Sequence, residues 1–355
     1  MFEIIFYILI FLFIIRLLVS MGSMFFVFRW FSLNRNIKES KDHNFIVVIP
    51  VFKEQKIIDE TVDYFINGID YPLNRIKIVI VTTEKENNGQ EKSTIDIVKN
   101  IKNIINSKLN NEIIIHLHYP KKSGKMVDQC NYAYDYILRE FDGRKNMFVA
   151  LYNADSRPDK NTFKIVSYLS SKKDNQRVFQ QSAIFFKNIE TLGTNFFSSY
   201  LLKASAVFQT RWTLAHEMPR FFRQSFFINK YHKRVFLAHC VGHGLFMRGD
   251  FLKEIKEMPS GTVTEDLFFG YILSLLPESI NPIPVLEEDD SPATIKSMLR
   301  QKYVWFFGPL DHIHYSSYFK NIYEKKFNTS SLLRNWFTVQ GVIPAIIWFF
   351  QGWVI

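Results

Sequence analysis

Two adjacent carboxylates, Glu265 and Asp266, stand directly before an aromatic and aliphatic run in the segment GTVTEDLFFGY, residues 261–271. The pair has a structural explanation, because acids in a first turn interact favourably with the helix dipole and the Thr264 hydroxyl can cap the helix. It also has a chemical one, because a carboxylate aimed from the start of a helix can act as a general base. The segment predicts a helix start, and other residues must decide between the two roles.

The elements upstream would have to position any ligand of these carboxylates. Four buried strands are predicted in the segments NFIVVIP, RIKIVIVTT, EIIIHLHYP and MFVALYNAD, and helical patterns separate them. Strands that alternate with helices predict an α/β fold with a mainly parallel sheet flanked by helices. In such sheets ligands bind beyond the carboxyl ends of the strands.

The residues at and after those strand ends are mostly polar or charged. They include Pro50, Phe52 and Glu54, then Glu84, then Lys125, and finally Asn153 and Asp155. Converging acids and a lysine suit a phosphorylated ligand with a divalent cation, since Mg²⁺ and Mn²⁺ take oxygen ligands from carboxylates and phosphates. The chain has neither GxGxxG nor GxxxxGK[ST], which argues against a dinucleotide oxidoreductase and a P-loop NTPase.

The ordered motifs over residues 44–310 resemble those of the family 2 glycosyltransferases of the GT-A (Rossmann-like) fold. The resemblance is to their membrane-bound branch, which is related to cellulose, chitin and hyaluronan synthases. VVIPVFKE is similar to the first strand and donor loop, NADS stands at the DxD position, TVTEDL matches the TED motif, and RQKYVWFFG is similar to QxxRW. Each motif is short, and their order and spacing carry the resemblance.

The resemblance implies a role for each matching residue. Asp266 would be the catalytic base with Glu265 beside it, Asp155 would hold the metal, and Gln301 and Trp305 would bind the acceptor. The residues implied to bind the donor are Pro50, Phe52, Glu54, Glu84, Lys125, Asn153 and Asp155. The implied cofactor is a divalent cation, Mg²⁺ or Mn²⁺.

Two positions depart from the family pattern. Asn153 replaces the first acid of DxD, which leaves Asp155 as the main carboxylate. Val304 replaces the arginine of QxxRW, and the residues that could supply its charge are Arg300, Lys302 and His312. The second departure argues against processive polymerisation more than against sugar transfer itself.

The predicted N-terminal anchor covers residues 1–30. Within it, residues 2–28 are apolar apart from Glu3, Arg16 and a few small polar residues, and exceed the roughly 20 residues that a spanning helix requires. We expect a membrane anchor, either a tilted span or a shorter span that continues as an interfacial helix. Glu3 and the length of the run disfavour a cleaved signal peptide. The basic flank Arg29, Arg35, Lys38 and Lys41 predicts a cytosolic catalytic domain by the positive-inside rule.

Residues 336–355 form a second apolar segment without formal charge. They predict a membrane segment, either a second span or a re-entrant hairpin kinked at Pro344, with a buried C-terminal helix as the alternative.

Residues 191–240 interleave basic and aromatic side chains, and the chain carries a net charge of +10. This pattern suits an anionic membrane surface or single-stranded nucleic acid, and the apolar ends favour the membrane.

The cysteines indicate a reducing compartment, because only Cys130 and Cys240 occur and they lie far apart in sequence. His239, Cys240 and His243 could form a metal cluster, but no further ligand pair at zinc spacing accompanies them.

We therefore expect a membrane-anchored inverting glycosyltransferase at the plasma membrane. It would move a sugar from a UDP- or GDP-sugar to a glycan or lipid-linked acceptor, with membrane lipids and other biosynthetic subunits as partners and no nucleic acid. The alternatives are a processive polysaccharide synthase and a non-catalytic sugar-nucleotide-binding subunit of a membrane assembly.

Overall fold

The computed structural model describes residues 2–34, 40–86, 93–262, 264–323, 326–327 and 329–351. The strands are β1 (Asn44–Pro50), β2 (Ile76–Thr83), β3 (Ile114–Tyr119), β4 (Met147–Leu151), β5 (Arg157–Pro158), β6 (Val178–Gln180), β7 (Ala183–Ile184), β8 (Leu245–Arg248), β9 (Ile280–Pro282) and β10 (Glu287–Glu288). The helices are α1 (Phe2–Asn34), α2 (Ile58–Asp63), α3 (Thr94–Leu109), α4 (Met126–Phe141), α5 (Thr162–Lys172), α6 (Phe196–Trp212), α7 (Met218–Tyr231), α8 (Gly249–Ile255), α9 (Glu265–Leu275), α10 (Ile295–Tyr323) and α11 (Ser331–Gln351).

The central sheet has seven strands in the order β3-β2-β1-β4-β8-β6-β9. The four strands predicted from the sequence, β1 to β4, are mutually parallel, which confirms an α/β fold with a mainly parallel sheet. Strand β8 runs antiparallel to both β4 and β6, and β9 pairs parallel to β6. The carboxyl ends of β1, β2 and β4 therefore lie at one edge of the sheet.

Both faces of the sheet are covered, so the inner strands are almost continuously apolar. One face packs against α4, α8, α9 and α10, with Val48, Val149 and Phe268 among the buried residues. The other face packs against α2, α3 and α5 and includes Phe45 and Phe163, whose rings stack with centroids 4.6 Å apart. This double covering makes the sheet a rigid base for the residues at its edge.

A second sheet of three short strands lies in the order β5-β10-β7. Strand β10 pairs antiparallel to β5, which follows the NADS segment, and parallel to β7. The pairing brings the acidic segment LEEDD, residues 286–290, beside the end of β4. The sequence did not predict this sheet, because two-residue strands leave no periodic signal.

Helix α1 contains the one segment of the described residues that is long and apolar enough to cross a membrane, Ile10–Asn34. A membrane anchor and a signal sequence both satisfy this criterion. The C-terminal half of α1 packs through Met24 and Val27 against Leu214 and Met218, which lie at and just after the junction between α6 and α7. Of the predicted basic flank, Arg35 and Lys38 lie outside the described residues.

Residues 191–240 form α6 and α7, joined by a π-helical turn, Thr213–Glu217. Phe196, Phe197 and Tyr200 on α6 are 89%, 70% and 70% exposed, as an interfacial helix requires. Phe221 on α7 belongs instead to the core under the sheet. The interfacial role of this region remains a prediction.

The C-terminal segment is one continuous helix, α11, which passes through Pro344 without a hairpin. Helix α11 packs against α10 and α9 with Phe337 and Ala345 buried, while Leu332, Trp336 and Ile343 are exposed. The predicted segment 336–355 ends in residues 352–355, which lie outside the described residues. Its contact with the membrane remains a prediction.

Candidate active site

Two adjoining pockets open at the carboxyl edge of the sheet. The smaller has a volume of about 370 Å³ and lies beyond β1, β2 and the start of α4. The larger has a volume of about 510 Å³ and is enclosed by α6, α7, α9, α10 and α11. Met126, Asn153 and Asp155 line both, so Asp155 stands at the passage between the two pockets.

The smaller pocket gathers most of the residues predicted to bind the donor. Its lining includes Pro50, Phe52, Glu54, Lys125, Asn153 and Asp155. Burial, with smaller contributions from the charges of Asp155 and Glu86, raises the pKa of Glu54 to about 7. A carboxyl group whose pKa is raised to near neutral pH is a common feature of ligand-binding sites.

The loop after β1 is held by Glu86 rather than by Glu84. Lys53 adopts a left-handed backbone with φ of 63°, and its N–H donates to Glu86 Oε2 at 2.8 Å. Gln55 Nε2 and the Thr94 N–H donate to Glu86 Oε1 at 2.8 and 2.9 Å. A buried carboxylate with several donors fixes a strained loop in place.

Glu84 does not line either pocket. Its carboxylate lies 3.0 Å from His118 Nε2 at the end of β3. Recognition of the donor base or ribose by Glu84 therefore has no support in the pocket geometry, and it remains a prediction from the motif. Sequence spacing alone did not separate Glu84 from Glu86, because both follow the same strand.

Lys125 connects the two pockets. Its backbone N–H donates to Asp128 Oδ2 at 2.7 Å in a capping arrangement that begins α4. Its Nζ donates to the Thr262 carbonyl at 2.7 Å, just before the helix that carries Asp266. The ammonium group lines the smaller pocket and also anchors the loop that leads to the predicted base.

Asp155 faces a buried cluster that sequence reasoning only partly found. The ligand atoms of His243, Glu287 and Asp289 lie within 4.8 Å of one another. His243 Nδ1 contacts Glu287 closely and lies 3.3 Å from Asp289 Oδ2. Burial raises the pKa of Asp155, and the charge of Asp289 raises it further. Although burial lowers the pKa of His243, these carboxylates raise it well above its usual value, so its imidazolium form balances part of their charge.

The donor set of this cluster fits a divalent metal. Glu287 Oε2 and Asp289 Oδ1 are buried and lack a hydrogen-bond partner within the described part of the chain. Carboxylates with one imidazole suit Mn²⁺, and carboxylates with bound water suit Mg²⁺. The zinc-type grouping of His239, Cys240 and His243 is not formed, since His243 alone of the three belongs to the cluster.

Glu265 and Asp266 begin α9 and line the larger pocket with Asn153 and Asp155. Burial and, to a lesser degree, the neighbouring charge of Glu265 together raise the pKa of Asp266 to about 6. The Leu267 N–H donates to Asp266 Oδ1 at 2.9 Å, which orients the carboxylate. Asp266 therefore remains ionised at neutral pH and has appreciable basicity.

The predicted cap of α9 is wrong, because the Thr264 side chain makes no capping hydrogen bond. Its hydroxyl instead lies 3.5 Å from the Tyr315 hydroxyl, on the side that faces α10. A methyl group built on Gly308 would come within 2.5 Å of that hydroxyl, so α10 approaches closely there. Contacts with α10, some 50 residues away, fix the start of α9.

Gln301 and Trp305 of α10 both line the larger pocket, and their role in acceptor binding remains a prediction. Of the three residues that could replace the missing arginine of QxxRW, Lys302 lines this pocket and its Nζ lies 4.2 Å from the Trp305 ring centroid. Arg300 is exposed, and His312 is buried against Gly341.

A mainly parallel sheet whose strand ends carry two adjoining, carboxylate-lined pockets agrees with the GT-A fold that the sequence motifs imply. Residues 43–307 match the family model described as Glycosyltransferase like family 2, and the chain belongs to this family. No curated protein sequence matches the chain.

Solved structures of glycosyltransferases are also similar to this chain. The mannosyltransferase PcManGT from Pyrobaculum calidifontis, in complex with GDP-Man and Mn²⁺, is 13% identical over 96% of this chain and 97% of its own, with a TM-score of 0.49. TarS from S. aureus, residues 1–349, is 14% identical over 80% of this chain and 73% of its own, with a TM-score of 0.43. The family assignment rests on the family model and not on these likenesses.

Proposed function

We propose that this glycosyltransferase is a membrane-anchored inverting enzyme that uses a nucleotide diphosphate sugar and a metal held at Asp155. The observation that carries the proposal is the position of Asp155 between a donor-sized pocket and the cavity lined by Asp266. A UDP- or GDP-sugar would occupy the smaller pocket with its diphosphate towards Asp155. The acceptor, a glycan or a lipid-linked sugar, would enter the larger pocket.

The proposed reaction assigns a separate task to each group. Asp266 accepts the proton of the acceptor hydroxyl as that oxygen bonds to the anomeric carbon of the donor. The bond from that carbon to the diphosphate breaks on the opposite face, and the nucleoside diphosphate leaves, so the anomeric configuration inverts. Trp305 offers a flat apolar surface on which a sugar ring can stack. Glu265 raises the basicity of Asp266 through its charge.

The metal would be Mg²⁺ or Mn²⁺, held by Asp155 together with the neighbouring buried group of His243, Glu287 and Asp289. When bound, it would supply positive charge to offset the charge that develops on the leaving diphosphate. Lys125 holds the Thr262 carbonyl and thereby keeps the chain ahead of Asp266 against the donor pocket.

Helix α1 would anchor the enzyme in the plasma membrane, with the catalytic domain in the cytosol. The support is the length and apolar character of Ile10–Asn34 together with its contact with the turn Thr213–Glu217. Membrane lipids and other biosynthetic subunits would be its partners.

The experiment is a transfer assay on the detergent-solubilised full chain with a panel of UDP- and GDP-sugars, Mn²⁺ or Mg²⁺, and membrane lipid extract as acceptor. We expect metal-dependent transfer of single sugars from one donor, with the anomeric configuration inverted in the product. Long polymeric products would indicate the processive synthase instead. Nucleotide binding without transfer from any donor would indicate the non-catalytic subunit and contradict the proposal.

A further inference from the structure

Residues 241–243, Val-Gly-His, lie between the proposed base and the buried cluster that fits a metal. A methyl group built on Gly242 would lie 3.5 Å from Asp266 Oδ2, so the backbone of Gly242 faces this carboxylate. The next residue, His243, contacts Glu287 in the cluster. A shift of this tripeptide would therefore move His243 relative to Asp266.

The tripeptide belongs to a segment without regular secondary structure. Helix α7 ends at Tyr231 and β8 begins at Leu245, and residues 232–244 between them form neither helix nor strand. Such a segment lacks the repeating backbone hydrogen bonds of a helix or a sheet, so its N–H and C=O groups need partners from elsewhere in the fold. The position of the tripeptide therefore depends on side chains of other elements.

Gln180 supplies two of these partners. Its Oε1 accepts a hydrogen bond from the Val241 N–H at 3.0 Å, and its Nε2 donates to the His243 carbonyl at 2.7 Å. Nε2 also donates to the Gln181 carbonyl at 3.0 Å. These contacts fix the orientation of the amide group, since a flipped amide would place Oε1 against two carbonyl oxygens. One side chain thus binds both ends of the tripeptide.

Gln180 is itself held firmly in the central sheet. It is the last residue of β6 and is 1% exposed. It pairs with Leu245 of β8 on one side and with Pro282 of β9 on the other, and its carbonyl accepts from the Ile283 N–H at 3.0 Å. A buried amide whose donor and acceptor are both used favours one backbone arrangement, because other arrangements leave a buried polar group without a partner.

We propose that Gln180 is a positioning residue for sugar transfer, which holds the tripeptide so that His243 and Asp266 keep a fixed separation. The proposed reaction requires this separation, because proton acceptance by Asp266 accompanies departure of the diphosphate beside the metal-holding residues. Gln180 lines neither pocket, so it acts through the backbone of the tripeptide. The inference rests on the proposed function, because it concerns the geometry of the same site.

The test replaces Gln180 with methionine, which has nearly the same length and lacks the amide group. Gln224→Met is the matched control. Gln224 is also 1% exposed, and its amide likewise joins two backbone groups, the Ile280 N–H and the Glu278 carbonyl, each at 2.9 Å. Gln224 lines neither pocket. Both variants should therefore lose similar stability in denaturant unfolding, since each loses a buried amide that joins two backbone groups.

The first measurement is the binding of Mn²⁺ alone to the full chain in detergent, by calorimetric titration. The dissociation constant for Mn²⁺ should rise about 10–100-fold in Gln180→Met, the usual effect of removing a group that orients a metal ligand. It should stay at the wild-type value in Gln224→Met. The single-turnover transfer rate at saturating donor and Mn²⁺ should fall by about tenfold or more in Gln180→Met alone. Metal-free binding of UDP and GDP should be the same in both variants.

An unchanged Mn²⁺ affinity or an unchanged transfer rate in Gln180→Met would overturn the inference, as would the absence of Mn²⁺ binding by the wild-type chain. If Gln180→Met does not fold, Gln180→Asn and Gln224→Asn take the place of the methionine pair. The asparagine amide is too short to reach both Val241 and His243, so equal Mn²⁺ affinity in this pair would also overturn the inference. Mn²⁺ binding that depends on Gln180 in a chain that transfers no sugar contradicts the proposed function alone.

Discussion

Replacing Gly270 with alanine tests whether the close contact between α9 and the backbone of residues 238–240 positions Asp266, the proposed base. A methyl group at Gly270 would lie 2.4 Å from the Cys240 nitrogen, 2.5 Å from the His239 Cα and 2.7 Å from the Ala238 oxygen. All three are backbone atoms, so no side chain can rotate away to make room. Relief requires that α9, which carries Asp266, shifts relative to the segment that carries His243.

The size of the effect follows from these distances. Ordinary contacts of such a carbon begin near 3.4 Å, so the helix must move by about 1 Å. Added volume in a packed core costs about 1–3 kcal/mol of the free energy of unfolding. A misplacement of about 1 Å in an active site can lower the rate about 100-fold. We therefore expect Gly270→Ala to lose both stability and transfer.

The assay pairs denaturant unfolding with the transfer rate at a temperature where the variant stays folded. Gly22→Ala is the matched control, because nothing lies within 4 Å of a methyl group at that position in α1. A Gly270→Ala protein with unchanged stability and unchanged transfer would refute the claim that this backbone contact holds Asp266 in place.

Two further predictions concern the pH dependence and the metal. Because burial and Glu265 raise the pKa of Asp266 to about 6, kcat/KM should fall as the pH drops through about 6, where the base becomes protonated. A pH–rate profile that stays flat down to about pH 5 would argue against Asp266 as the base. Asp155→Asn should weaken Mn²⁺-dependent binding of the nucleoside diphosphate by about tenfold or more in calorimetric titrations, since it removes a charged ligand. Unchanged metal dependence in this variant would place the ion elsewhere.

The sequence predicted the parallel strands and most of the residues that line the smaller pocket for a clear physical reason. Strands buried on both faces are continuous apolar runs, as in NFIVVIP, and polar residues must follow where each run ends. Pro50, Glu54, Asn153 and Asp155 could be placed at one edge on this basis, and the structure brings them together.

The features that the sequence did not predict depend on contacts between segments that are far apart in the sequence. Glu287 and Asp289 reach Asp155 only because the two-residue strand β10 pairs with β5 and β7. The acidic residues of LEEDD could be seen in the sequence as possible metal ligands, but nothing in the neighbouring sequence distinguishes them from the acids of a solvent-exposed loop. The Thr264 hydroxyl likewise turns towards Tyr315 of α10 instead of capping its own helix, which local propensity does not encode.

The single-turnover rate of sugar transfer by Asp266→Asn, at saturating donor and metal, is the sharpest test of Asp266 as the general base. We expect this rate to fall by about 10²–10⁴-fold, the usual contribution of a general base. Affinity for the donor should be unchanged, because Asp266 lines the larger pocket and not the smaller pocket proposed for the donor. Asp135→Asn, an exposed residue paired with Arg139 on α4, should transfer at the wild-type rate. Undiminished transfer by Asp266→Asn would contradict the proposal that Asp266 is the base.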